Sequence, residues 1–157
     1  MGDFILRAAA PDDASSILEM LRELAIYEKV PDNGFCLTLD RILRDMFGAA
    51  CHCDLAFQDG AAAGIVTWFW AYKSFRGQRG LYVEDLYVKP QFRGQGLGRR
   101  FLSGLASRAR EAGGHLEWSV LDWNKPAIAF YESLGARLVL EWVDCRLEGG
   151  ALEKLTS

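Results

Sequence analysis

A glycine-rich turn between a strand and an amphipathic helix constrains this sequence more than any other feature. The turn is Arg93-Gly94-Gln95-Gly96-Leu97-Gly98. The segment before it, Leu81 to Val88, is rich in tyrosine and valine and predicts a strand. After the turn, apolar residues recur at the spacing of one buried helical face; they are Leu97, Phe101, Leu102, Leu105, Ala106 and Ala109. The helix is predicted to end at Gly113-Gly114.

Such a turn is suited to bind an anion. In the first turn of a helix, several backbone N–H groups have no intrahelical partner. Glycines let the main chain approach a ligand closely, and the helix dipole adds partial positive charge. Arg93, Arg99 and Arg100 add formal charge nearby. The alternative is an ordinary glycine-rich turn with solvated arginines, because glycine patterns alone are weak indicators of function.

Two other phosphate-binding motifs do not fit this turn. The dinucleotide fingerprint requires Gly-x-Gly-x-x-Gly, whereas the glycines here fall at positions 94, 96 and 98. A nucleotide P-loop ends in Gly-Lys-Ser or Gly-Lys-Thr, and this sequence contains neither.

The other predicted elements form a mixed sheet covered by helices on both faces. Further strands are predicted at Phe4 to Arg7, Asp54 to Gln58, Ala63 to Tyr72, Leu116 to Leu121, Arg137 to Trp142 and Cys145 to Leu147. Further helices are predicted after Pro11, at Leu39 to Phe47 and at Lys125 to Leu134. Asp59-Gly60 predicts a tight hairpin. Without a repeat or a linker, residues 1–157 are expected to form one domain.

Charge and hydropathy narrow the expected partners. The formal net charge of −3 comes from 18 basic and 21 acidic residues without a basic block, so no nucleic acid is expected. The most apolar stretch, Ala61 to Tyr72, is shorter than the ~20 residues that cross a bilayer. We therefore expect no membrane association and a cytoplasmic location. Cys51-His52-Cys53 lacks a second ligand pair, so no metal is expected, and the four cysteines are predicted to be free thiols.

The segment from Val88 to Gly98 resembles the cofactor-binding signature of the GCN5-related N-acetyltransferase (GNAT) family. The likeness extends to Arg7-Ala8-Ala9, to Tyr82 through Val88 and to Trp123 through Tyr131, and the last two segments are similar to the diamine and thialysine acetyltransferase branch. The resemblance implies a GNAT fold with a mostly antiparallel sheet split between central strands. It also implies acetyl-CoA as cosubstrate, a small-molecule amine as acceptor and a homodimer.

The resemblance also implies roles for individual residues. Cofactor-binding residues would be Leu86, Tyr87, Val88, Arg93, Gly94, Gln95, Gly96, Leu97, Gly98, Arg99, Asn124 and Tyr131. Substrate-binding residues would be Tyr27, Glu28, Glu84 and Asp85. Tyr131 would be the general acid for the departing thiolate, and Glu84 would accept the proton of the amine. Backbone N–H groups of Leu86 and Tyr87 would polarise the acetyl carbonyl.

Glu84 and Asp85 are also candidates on physical grounds. They interrupt an apolar strand, and a carboxylate in a cleft is costly to bury without a charged partner or a proton to transfer. Adjacent strand residues face opposite sides, so only one of the two can face a site unless a β-bulge intervenes. This argument favours Glu84.

Several functions remain open at this point. The leading interpretation is an N-acetyltransferase for a diamine, a polyamine or a lysine-like amino acid. A protein amino-terminal or lysine acetyltransferase would use the same fold with an open peptide groove. A non-catalytic coenzyme A-binding module, or an interaction protein with an accidental glycine turn, would transfer no acetyl group.

Overall fold

Five strands form one sheet in the order β1-β2-β3-β4-β5 in the computed structural model, which describes residues 3–156. The strands are β1 (Ile5–Ala8), β2 (His52–Gln58), β3 (Ala61–Lys73), β4 (Gln78–Val88) and β5 (Leu116–Trp118). Neighbours are antiparallel except β4 and β5, which are parallel. The mixed, mostly antiparallel sheet expected from the sequence is confirmed.

Five α-helices accompany the sheet. They are α1 (Ala14–Tyr27), α2 (Leu39–Asp45), α3 (Leu97–Glu111), α4 (Lys125–Ser133) and α5 (Gly150–Thr156). Short 3₁₀ turns precede α1 at Pro11–Asp13 and the glycine turn at Pro90–Phe92. Between residues 3 and 156, no helix has the length and apolar composition that crossing a bilayer requires.

Helices cover both faces of the sheet. On one face, α1 and α2 bury a cluster that includes Ile17, Met20 and Ile42 against Leu55 and Ile65 of the strands. On the other face lies α3, since a side chain at Gly64 would meet the rings and methyls of Phe101 and Leu97. Gly64 precedes Ile65, and successive strand residues face opposite ways, so the two helical layers lie on opposite sides.

The β2–β3 hairpin turns at the predicted dipeptide. Asp59 and Gly60 both have positive φ values, 51° and 80°. A two-residue turn with positive φ at both positions matches the twist of the flanking strands. The conformation of Asp59 and Gly60 therefore helps to fix the register between β2 and β3.

The edge of β4 is only partly paired with β5. The parallel pairing joins Leu81 to Leu116, Tyr82 to Glu117 and Val83 to Trp118, and it ends there. Strand β4 continues to Val88. From Glu84 onward, its edge on the β5 side is thus not covered by β5.

The chain divides into two compact units, one ending at Ser119 and one beginning at Val120. The second unit contains α4 and α5. The predicted strands Arg137 to Trp142 and Cys145 to Leu147 are wrong, because residues 136–148 form no strand although all of them are described. Apolar alternation predicted them, but a strand also needs a neighbouring edge to accept its hydrogen bonds.

Two further differences concern the same region. Strand β5 ends at Trp118 rather than at the predicted Leu121, because the chain turns there and the Asn124 N–H donates to the Leu121 carbonyl at 2.9 Å. Helix α5 is not predicted by the sequence pattern, and it starts directly after Gly149, whose φ is 55°.

Candidate active site

The glycine turn has a backbone that only glycine adopts readily. Gly94 and Gly96 have φ values of 73° and 80°, and Gly96 is the N-cap of α3. A Cβ at either position would meet no described atom within 4 Å. The requirement for glycine within the folded chain is therefore conformational, and the space around the first turn of α3 is open to a ligand.

Arg93 is held against the end of β4. Its Nε donates to the Val88 carbonyl at 2.8 Å. Its guanidinium lies over the rings of Tyr27, at 5.5 Å, and Tyr87, at 5.7 Å. Arg93 therefore connects the glycine turn to the end of β4 and to the end of α1. Like Arg93, Arg99 is exposed, and it lies on the first turn of α3.

Backbone N–H groups alternate between the two edges of β4, and this alternation shows which of them face the edge that is not paired with β5. The Lys89 N–H donates to the Ala63 carbonyl on the β3 side at 3.0 Å. Successive N–H groups of a strand point to opposite edges, so the Tyr87 N–H also points to β3. The N–H groups of Leu86 and Val88 point to the opposite edge, which is not paired with β5 at these residues. This geometry favours Leu86 over Tyr87 as a backbone donor to a ligand.

A β-bulge lies at Glu84. Thr67 of β3 is paired with Asp85 and Trp68 with Val83, so Glu84 has no partner on β3. Such an extra residue changes the direction of the side chains on either side of it. Negative charge on both Asp85 and Glu84 raises the pKa of the Cys51 thiol, after the larger effect of its burial. The bulge therefore turns the side chains of Glu84 and Asp85 to the same side of β4, which resolves the conflict that simple alternation posed.

Three carboxylates form a group that we call the acidic cluster, namely Glu28, Glu84 and Asp85. Burial raises the pKa of Glu84, and the charge of Asp85 raises it further. The same two causes, in the same order, raise the pKa of Glu28, which follows the last residue of α1. Burial also raises the pKa of Asp85, while a hydrogen bond from Thr67 opposes this effect. Glu28 and Asp85 are half-buried and Glu84 is exposed. Like charges held together in this way favour binding of a cation.

Side chains of α1 tie that helix to the carboxyl end of β4. The Tyr87 hydroxyl donates to Glu23 at 2.9 Å, and burial followed by this contact raises the pKa of Tyr87 to about 12. Lys89 lies 2.5 Å from Glu19 and 3.6 Å from Glu23. These contacts fix the end of α1, and with it Glu28, relative to β4. Tyr27, the last residue of α1, is exposed beneath Arg93.

The second unit holds the two remaining predicted site residues. The Asn124 side chain accepts a hydrogen bond from the Ala127 N–H at 3.4 Å and caps α4. Asn124 is buried, and Tyr131 on α4 is half-buried with its ring 5.3 Å from that of Phe130. Asn124 is therefore the N-cap of α4.

Sequence reasoning missed Thr67. It is buried in β3 and its hydroxyl bonds to Asp85 at 2.5 Å. The available signal was a single hydroxyl within the apolar run from Gly64 to Trp70, at the register position opposite Asp85. The cysteines are free thiols, as predicted.

The chain belongs to the acetyltransferase (GNAT) family, which it matches over residues 17–136. It is 37% identical over 158 residues to the thialysine N-epsilon-acetyltransferase of Caenorhabditis elegans, covering 98% of each chain. It is 42% identical over 98 residues to the L-ornithine N5-acetyltransferase of Arabidopsis thaliana, covering 62% of this chain and 43% of that one. The predicted family is confirmed, and the protein is an acetyltransferase enzyme.

A solved structure shares the fold. An integron cassette protein from the mobile metagenome of V. cholerae aligns with a TM-score of 0.81 at 22% identity, over 98% of this chain and 97% of its own. At that identity the likeness shows the fold alone. It confirms the predicted α/β GNAT architecture.

Proposed function

We propose that this enzyme transfers the acetyl group of acetyl-CoA to an amine of a small basic substrate, such as a diamine, a polyamine or a lysine-like amino acid. The observation that carries the proposal is the acidic cluster, of which Glu84 and Asp85 lie on β4, the strand that leads to the glycine turn, and Glu28 lies at the end of α1. Relatives named for thialysine and ornithine support an amine with a second cationic group.

The residues of the turn and of β4 fit coenzyme A. Free N–H groups at the start of α3 and the exposed Arg99 suit a pyrophosphate. The N–H groups of Leu86 and Val88 face the edge of β4 that is not paired with β5 there, and they would bond to the extended amide arm of the cofactor and to the acetyl carbonyl. Gly94 and Gly96 leave the space that this approach requires.

Acetyl-CoA supplies an activated acetyl thioester. The amine nitrogen forms a bond to the acetyl carbon, and the carbon–sulfur bond breaks. Glu84 accepts the amine proton, directly or through water, because its raised pKa brings it closer to neutral pH than an ordinary glutamate. Asp85 and Glu28 hold the cationic part of the substrate. Tyr131 donates a proton to the departing thiolate.

A thiol-release assay with acetyl-CoA against a panel of amines tests this function. We expect turnover with α,ω-diamines and lysine-like amino acids, and weaker activity with uncharged amines of the same length. Calorimetry with coenzyme A is run in parallel. Cofactor binding without acetyl transfer to any amine would identify a binding module, and turnover confined to peptides would identify a protein acetyltransferase.

Three broader features remain predictions, of which the first and the last come from the length and hydropathy of the sequence and the second from the family resemblance. We propose that residues 1–157 form a single domain, that the protein is a homodimer and that it is cytoplasmic. Light scattering coupled to size-exclusion chromatography measures the mass in solution, and a monomer at micromolar concentration would contradict the dimer.

A further inference from the structure

Thr67 occupies the centre of the sheet beside the bulge. Its Cα partners are Cys53 on β2 and Asp85 on β4, and the residue is 1% exposed. The hydroxyl donates to the Asp85 carboxylate at 2.5 Å and accepts the Asp85 backbone N–H at 3.1 Å. One buried hydroxyl thus holds the main chain and the side chain of the same residue.

The contact between Thr67 and Asp85 lies directly beside the β-bulge at Glu84. A bulge interrupts the ladder of main-chain hydrogen bonds, and the strand needs another contact to fix its direction there. The Asp85 N–H follows directly after the unpaired Glu84, and it is a side-chain oxygen of β3 that receives it. Thr67 therefore anchors the first residue after the bulge.

We propose that Thr67 is a positioning residue of the acidic cluster, whose hydroxyl fixes the bulge and directs Asp85 and Glu84 to the same side of the strand. The proposal rests on the proposed function in so far as Asp85 binds the substrate cation. Thr67 itself is buried and touches no reacting atom.

The hydroxyl also acts on the charge of Asp85. Ionisable groups near this carboxylate are Glu28 at the end of α1, Glu84 on β4, Cys51 before β2 and Cys53 within it. All four are neutral or negative. The bond from Thr67 is thus the contact that favours the ionised form against burial. An ionised Asp85 in turn keeps the pKa of Glu84 raised.

Two variants separate the hydroxyl from the shape of the side chain. Thr67→Val keeps the shape and Thr67→Ser keeps the hydroxyl. Thr38→Ala is the control, because Thr38 caps α2 through the Arg41 N–H and its loss lowers stability away from the cluster. The first readout is the titration of the Asp85 carboxyl carbon by NMR, without substrate. We expect its midpoint to rise in Thr67→Val and to return in Thr67→Ser, with no change in Thr38→Ala.

The second readout is the KM for an α,ω-diamine. We expect an increase of about tenfold in Thr67→Val, because an Asp85 carboxylate that is less ionised and less firmly held attracts the substrate cation more weakly, and near wild-type values in Thr67→Ser. If Thr67→Val does not fold, Thr67→Ala is compared with Thr67→Ser in the same way. An unchanged Asp85 titration in the variant without a hydroxyl overturns the proposal. Absence of turnover with every amine in the wild type overturns the proposed function instead, and the titration still decides the role of Thr67.

Discussion

Replacing Gly96 by valine tests whether the glycine turn binds coenzyme A. Gly96 begins α3 with a φ of 80°, and Gly113 follows the other end of the same helix with a φ of 70°. A Cβ added at either position would meet no described atom within 4 Å. A left-handed backbone costs a residue other than glycine roughly 1–2 kcal/mol, and a β-branched one somewhat more. Gly96→Val and Gly113→Val should therefore lose similar amounts of stability.

Their effects on cofactor binding should differ. The valine at position 96 would stand where N–H groups of the turn approach the pyrophosphate. Each hydrogen bond to a charged group contributes about 1.5–3 kcal/mol, and about 1.4 kcal/mol corresponds to a tenfold change in affinity. Loss of two such bonds weakens coenzyme A binding by at least ~100-fold. Gly113→Val lies at the far end of the helix and should bind as the wild type does.

Calorimetric titration with coenzyme A measures both affinities, and urea unfolding of both variants measures the matched loss of stability. Wild-type affinity in a folded Gly96→Val protein would refute the assignment of the turn. Equal loss of affinity in Gly113→Val would show that strain in α3, rather than contact at the turn, weakens binding.

Three further predictions concern the catalytic groups. Tyr131→Phe should keep the affinity for coenzyme A and lower kcat by about 10²-fold if the hydroxyl is the general acid; full turnover with chemistry rate-limiting would leave Tyr131 a packing residue. Glu84→Gln should lose most activity at neutral pH and regain part of it in alkaline buffer, where free amine is already present; pH profiles of the same shape for both proteins would remove Glu84 from proton transfer. The raised pKa of Glu84 means that the folded chain keeps this proton after the unfolded chain has lost it, so its contribution to stability falls as pH rises above 4.5. Glu84→Gln should therefore be more stable than the wild type at about pH 8, by less than about 1 kcal/mol, and equal to it at about pH 4, as measured by urea unfolding; a difference that grows toward low pH would contradict this sign.

Secondary-structure elements that depend on neighbouring residues in the chain could be predicted from the sequence. The hairpin at Asp59-Gly60 and helix α3 follow from turn residues and from apolar periodicity, and both form where expected. The strands predicted at 137–142 and 145–147 have a suitable pattern, but a strand is completed by an edge elsewhere in the chain. Periodicity reports which residues favour burial and carries no information about that edge.

The sequence identifies some residues of the candidate site, but it does not show the contacts that depend on pairing between strands. Glu84 and Asp85 stand out as carboxylates in an apolar strand. The bulge that brings both to one side depends on the register between β3 and β4, which one strand alone does not reveal. The role of Thr67 also depends on this register and could not be predicted. A threonine in a strand usually reflects β propensity. The contact of Arg93 with Val88 likewise arises from the path of the turn.

The acidic cluster has a consequence for the order of events in turnover. The carboxyl end of α1, where the peptide dipoles leave partial negative charge, precedes Glu28 directly and adds to its field. A field of this sign speeds the arrival of a doubly charged amine, and added salt should slow that arrival. In the proposed reaction, acetylation converts one ammonium group into a neutral amide. The product is then held less strongly than the substrate by the same carboxylates, so the chemical step itself promotes release.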